Sequence, residues 1–229
     1  VLALTAVLAA GMAMAGCGAS SSTASSVADS TPASSTASAP AEQTGDVLPI
    51  EQGTLEDMKT GSYKFAAGIK AVKDGQMTVE VYRYDAYTKE DIESLQEGGV
   101  IEVHDQGDLT VTQMTVESIE KNADTGYVTI NGGIEEGGVD LVLDHDVYRT
   151  LTFDDYPVYY KEGELVLPMA EDVVLTDSSA DPQADAVESD GIDAVTEAIG
   201  ADPDSWTCNN TTVFTDQGSV SNINRIWVP

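Results

Sequence analysis

The chain has 229 residues, 40 acidic against 10 basic, for a formal net charge of −30 at pH 7. Such a charge repels the phosphates of nucleic acid and anionic lipid headgroups alike, which argues against both as partners. Once a leader and a linker are set aside, about 180 residues remain, enough for one sizeable domain or two small ones with a real core.

Residues 1–16 are uncharged and apolar and end at Met14-Ala15-Gly16-Cys17. The small Ala15 and Gly16 suit entry into a protease cleft, and a thiolate is the natural nucleophile for alkylation. This segment resembles the lipobox of bacterial lipoproteins. The resemblance implies cleavage before Cys17, a diacylglycerol on its thiol and anchoring in the cell membrane, facing out of the cytoplasm. A leader of this class opens with Lys or Arg and none precedes Lys59, so the leader is expected to be N-terminally incomplete. The only other cysteine is Cys208, so with Cys17 lipidated no internal disulfide forms and packing must hold the fold.

Residues 17–46 read as lipid anchor and tether. From Gly18 to Asp46, 13 of 29 residues are Ser or Thr, seven are Ala, and Val27 is the only large apolar one. Such a segment cannot bury enough surface to offset its ordering entropy.

Residues 47–229 read as an acidic, mainly β domain, an antiparallel small barrel or sandwich with two short helices. Tyr63 to Val72 and Met77 to Tyr84 flank an Asp74-Gly75 turn, a strong hairpin signal, with Met77, Val79 and Val81 facing inward. Thr88 to Glu97 is predicted as a helix capped by Thr88, with Ile92 and Leu95 on one face and Gly98 at its end. Strands follow at Val100 to Val103, Leu109 to Ile119, Tyr127 to Ile130, Val139 to Leu143, Val147 to Phe153, Val158 to Tyr160, Leu165 to Leu167 and Val173 to Leu175. Asp177 to Asp190 reads as a mobile acidic loop. A helix from Gly191 to Ile199 is expected to be capped by Asp190, with Asp193 at the capping-box position. The domain closes with a hairpin, Thr212 to Thr215 and Val220 to Val228, whose Ile223 and Trp227 are expected in the main core.

No catalytic spacing of a known kind is present. The best enzymatic set is Cys208 as nucleophile, His145 or His104 as base and Arg225 as anion stabiliser. Thr207-Cys208 with Arg225 on the next strand is similar to the order in sortase-like transpeptidases, although His145 stands in Asp144-His145-Asp146 rather than in a Thr-Gly-His context. Histidine beside carboxylate at His104-Asp105 and Asp144-His145-Asp146 could ligate a transition metal, but two histidines at no telling spacing are more often turn residues. Between Lys161 and Arg225 stand 14 acidic residues and no basic one. Of these, Asp177, Asp181, Asp185, Glu188 and Asp190 are the candidates for loose calcium binding, against a plain solvated acidic face. No cofactor is expected.

Tyrosines supply the remaining candidates. Tyr82, Tyr84 and Tyr87 follow one strand, and Tyr156, Tyr159 and Tyr160 surround Pro157. Each offers a flat apolar face with a hydroxyl, suited to sugars, peptides or protein partners, or simply to covering a sheet. The expectation is a lipid-anchored surface module that binds an extracellular ligand or protein. A cysteine transpeptidase or hydrolase and a structural spacer are the alternatives.

Overall fold

Asp74 and Gly75 both have positive φ, 52° and 74°, and form the two-residue turn whose twist matches the strands it joins. The computed structural model in which they lie describes residues 54–107, 109–181 and 183–228, with the backbone of 47–48. Cys17, the leader over 1–16 and the tether over 17–46 lie outside the described residues.

In chain order, β1 (Val47–Leu48) and helix α1 (Leu55–Met58) precede the first hairpin, β2 (Lys64–Lys73) and β3 (Gln76–Arg83). Then come β4 (Ala86–Thr88), α2 (Lys89–Ser94), β5 (Val100–His104), β6 (Val111–Thr115), β7 (Ile119–Asn122) and β8 (Tyr127–Ile130). A 3-10 turn at Ile134–Glu136 leads to β9 (Val139–Asp144) and β10 (Val147–Thr150). The chain ends with β11 (Tyr160–Ser178), β12 (Val187–Asp190), α3 (Ile192–Ala201), β13 (Thr211–Asp216) and β14 (Ser219–Ile226).

The protein is mainly β, and its first and last strands make a ring. β3 pairs antiparallel with β2 and with the first half of β11, the second half of β11 runs parallel to β14, and β13 joins β14 back to β2. Counted along the chain, the five strands meet in the order 1-2-3-5-4-1, with the third and fifth parallel. The ring is thus a closed five-stranded barrel, an architecture that by itself argues for no function. Its core holds Ile69, Val79, Val81, Leu167, Val213 and Ile223, and α3 adds Val195 and Ile199.

Between β3 and β11 the chain builds an insert with its own core around Tyr87, Ile92, Ile101, Ile130 and Leu141. Two sheets enclose it, β4-β10-β9-β8-β7 and β1-β5-β6. All the described residues belong to one compact unit.

Several elements depart from the sequence reading for local reasons. The three strands predicted between Val158 and Leu175 are one, because Lys161–Gly163 and Met169–Val174 shift the register without turning the chain. At Gly163 a Cβ would stand 2.6 Å from Leu55 Cδ1, so its absence lets α1 pack. Pro168 faces Gln76, the first residue of β3, and Met169 opens the ladder with β14. A residue with no N–H thus stands at the changeover between partners.

Leu109 to Ile119 is broken after Thr115, where the Asn131 carboxamide accepts from the N–H groups of Glu117 and Ser118 at 2.7 and 3.1 Å. α2 stops at Ser94 rather than Glu97, and Lys121 Nζ donates to the carbonyls of Glu93 and Leu95 at 2.9 and 2.6 Å. β10 ends at Thr150, short of Phe153.

The stretch from Asp177 to Asp190, predicted as a loop, contains a strand instead: Asp177 pairs with Val187, and Val174 with Asp190. Asp190 is therefore part of a ladder, and Gly191 takes the N-cap position of α3 without a side-chain bond. Trp227 does not enter the core; it is 43% exposed, whereas Trp206 is buried. Helix α1 was not foreseen, although Thr54 and Asp57 form a complete capping box.

Candidate functional site

The alternation that buries Met77, Val79 and Val81 turns Glu80 and Tyr82 outward, and the chain leaves β3 through Arg83 and Tyr84. Tyr159 stands just before β11 and Tyr63 just before β2. These four tyrosines line one cleft of about 680 Å3 between barrel and insert. Tyr84 and Tyr159 meet edge to face, with ring centres 5.9 Å apart and planes at 73°, a favourable aromatic geometry.

Three cations line the same cleft, Lys64, Arg83 and Arg149, against one carboxylate, Asp144. That is three of the ten basic residues of a chain with forty acidic ones, so the cleft is a cationic, aromatic island on an acidic protein. Arg149 is fixed by Asp144 Oδ2 at 3.1 Å and by the carbonyls of Thr150 and Asp155 at 3.4 and 3.1 Å. Arg83 donates to Glu162. Lys64 Nζ lies 5.8 Å from the centre of the Phe214 ring. The His145 ring bonded to Asp144, against a smaller opposing effect of burial and with Arg149 beside it, holds that carboxyl below its usual range.

Tyr82 and Tyr159 keep their protons. Burial, then the bond from its hydroxyl to Glu80, pushes Tyr82 up to about 12. Burial and the neighbouring Tyr84 do the same for Tyr159. Both therefore offer neutral hydroxyls and flat faces at any physiological pH.

Of the six tyrosines singled out from the sequence, Tyr82, Tyr84 and Tyr159 reach the cleft. Tyr87 and Tyr160 are buried instead. Tyr87 donates to the carbonyl of Glu102 at 2.6 Å, and Tyr160 stacks on His104 at 3.7 Å with planes 12° apart. Tyr156 is half-buried and is not part of the lining. Tyr63 and the three cations were missed, yet a signal existed: each cation follows a tyrosine in Tyr63-Lys64, Tyr82-Arg83 and Tyr148-Arg149.

Cys208 lies on an adjoining hollow of about 270 Å3 that shares Tyr82 with the cleft and also holds Glu80 and Trp206. Burial pushes its thiol up, which lowers the thiolate fraction and hence its reactivity. Neither His145 nor Arg225 lines that hollow. His145 sits in the β9–β10 turn with φ 56°, its side chain 94% exposed and bonded only to its neighbour Asp144 at 2.6 Å. Arg225 stacks on Trp206 at 4.4 Å, donates to Ser205 Oγ at 2.5 Å and faces Asp177 and Asp202 at 3.4 and 3.6 Å.

His104 is buried and tied to Asp85, with Nδ1 and Oδ1 2.7 Å apart, while its backbone N–H donates to Asp85 Oδ2 at 2.6 Å. Among the acidic candidates, Asp177 accepts from Ser179 N–H at 2.9 Å and Asp181 from Gln183 N–H at 2.8 Å. Glu188 and Asp190 stand in β12, and Asp185 is exposed between the two strands. Among the described residues no three His, Cys, Asp or Glu side chains are grouped to hold a metal ion, and no helix is long and apolar enough to cross a membrane. Compared with protein-family models, curated proteins and solved structures, the chain finds no match.

Proposed function

We propose that the protein is a lipid-anchored binding module on the outer face of a cell membrane, with the cleft between barrel and insert as its recognition site. The observation that carries this reading is the meeting of four tyrosines and three cations, drawn from distant parts of a strongly acidic chain. Flat rings stack on the apolar faces of sugars or peptide side chains, and guanidinium and ammonium groups pair with carboxylates. The ligand class is therefore a ringed, anionic molecule such as an acidic oligosaccharide. The raised thiol pKa of Cys208 and the exposure of His145 favour binding over turnover through a cysteine nucleophile. The Met14-Ala15-Gly16-Cys17 segment and the Ser/Thr/Ala tether support the anchored location.

Calorimetric titration with oligogalacturonate and with its methyl ester tests the cleft, since the two share rings and differ in charge. The anionic form should bind at least tenfold more tightly, and Tyr84→Ala with Tyr159→Ala should weaken it by about tenfold or more. Equal affinity for both forms, no binding of either, or unchanged affinity in the double variant would overturn the reading. For the anchor, Cys17→Ser should leave an uncleaved precursor lacking acyl mass. Wild-type protein wholly in the soluble fraction with residues 1–16 intact would remove the membrane from the account.

A further inference from the structure

A second hollow, of about 420 Å3, lies within the insert, bordered by β5, β6, β9 and the exit of β10. That volume falls within the range of small-ligand sites. Its wall is mostly apolar: Val103, Met114, Val139 and Leu151 line it, and Phe153 stands at its edge with 69% of its surface exposed. An exposed aromatic ring beside an apolar hollow gains by closing over an occupant.

Among the polar groups that also line it, two are buried, and the tyrosine cleft uses neither. Thr150 is 1% exposed, and its Oγ1 is buried with no hydrogen-bond partner although its backbone N–H donates to Asp85 O at 3.2 Å. A buried hydroxyl without a partner is destabilising and is rare in folded proteins unless water or a ligand completes it. His104 is the second group. Asp85 engages Nδ1, and Tyr160 stacks on the ring, so its orientation is fixed and Nε2 is its other polar atom.

The charge around the hollow selects among ligands. No lysine or arginine lines it, whereas Asp105 and Asp140 do. A carboxylate or phosphate would meet like charge there, and a cation would have to leave water for a mostly apolar wall whose two carboxylates already accept from Thr112, Thr129 and Ile134, so the occupant is uncharged.

We infer that the hollow is a binding site for a small, neutral, largely apolar molecule with one hydroxyl, carbonyl or N–H group, which Thr150 Oγ1 and His104 receive. This site is separate from the cleft and takes the opposite class of ligand. It gives the insert a recognition role of its own.

The test uses the full chain and N-phenyl-1-naphthylamine, a neutral apolar probe with one N–H whose fluorescence rises in dry surroundings. The probe should bind with saturation, 1-naphthol should displace it, and the anion 1-naphthoate should be at least tenfold weaker. Thr150→Val removes the hydroxyl while keeping the shape, and should weaken 1-naphthol about tenfold. Phe153→Ala, at an exposed position where folding is not at risk, should weaken the probe, while Tyr84→Ala with Tyr159→Ala should leave it unchanged. Absence of saturable probe binding, equal displacement by naphthol and naphthoate, or full naphthol affinity in Thr150→Val would each overturn the inference. The last result would mean that only water completes Thr150.

Discussion

Every strand of the barrel ring has two hydrogen-bonded neighbours, and its core cluster is built from aliphatic, methionine and aromatic side chains. The insert has two sheets with open edges and buries a carboxylate and an imidazole, Asp85 and His104, whereas the polar side chains buried on the barrel side are the uncharged Asn210, Thr211 and Thr215. A closed ring satisfies its backbone by itself and can keep ionisable side chains out of its centre. Open sheets cannot, and here the Asp85–His104 pair ties the start of the insert to β5. The closed ring is thus suited to be a rigid frame, while the two sites proposed above lie in the insert and along the seam between the two.

If that division is right, damage should spread in one direction. Both ends of the insert are held by barrel strands, β3 and β11. Ile223→Ala, at a wholly buried barrel position, should cost about 4 kcal/mol by urea unfolding and speed amide exchange in both regions. Leu141→Ala, equally buried in the insert, should cost about 3 kcal/mol yet leave protection in β13 and β14 near wild type. Exchange that rises only in the barrel after Ile223→Ala would break the comparison, because the insert would then stand alone.

The same contrast decides what the sequence disclosed. The first hairpin was legible because its information is local: Asp74-Gly75 dictates the turn, and alternation dictates the buried face. Closure was not legible, since Tyr160 meets Arg83 and Met169 meets Val220 across long separations. Alternation says which side chains point inward and nothing about which strand lies alongside.

The site was half legible for a related reason. Tyr159 and Tyr160 are adjacent, so the pleat sends one to the cleft and the other to the core. Which is which depends on the register of β11. The Asp85–His104 pair joins the link between β3 and β4 to β5 at no telling spacing, and only the fold shows it.

A second test sets one carboxylate from each region against the other by pH. In the barrel, burial of Glu80 opposes ionisation, but bonds from Lys161, Lys70 and Tyr82 outweigh it and hold the group below 4.5. A depressed folded pKa adds stability above the unfolded value, and that stability is lost as pH falls through the folded pKa. Glu80→Gln should therefore cost on the order of 1 kcal/mol at pH 7 and progressively less below about pH 4.5. In the insert, burial raises Asp85 above 3.8 despite the bonds from His104. A raised folded pKa contributes fully below the unfolded value and less as pH rises through the folded one. The penalty of Asp85→Asn should thus be larger at pH 4 than at pH 7, the reverse of Glu80→Gln. Urea unfolding of both variants at the two pH values checks the signs. Parallel trends would mean that the two carboxylates do not differ as their surroundings imply.

The smallest expected effect concerns the acidic hairpin of β11 and β12, where the barrel's contribution is charge rather than shape. Forty acidic side chains repel one another throughout the molecule, and added salt should relieve this wherever they stand. A local calcium site would instead act only through Asp177, Asp181, Asp185, Glu188 and Asp190. Two of these already have partners: Asp177 faces Arg225, and Asp181 accepts from Gln183 N–H. Sodium and calcium chlorides at matched ionic strength should therefore raise Tm alike, by about 2–4 °C for each 1 kcal/mol gained. A clear excess from calcium would place a site in the hairpin, and Asp185→Asn with Glu188→Gln should then abolish the excess without touching the sodium response. The charge of the barrel would in that case be organised for binding, as is proposed for the cleft, and the contrast between a rigid frame and a recognising insert would need redrawing.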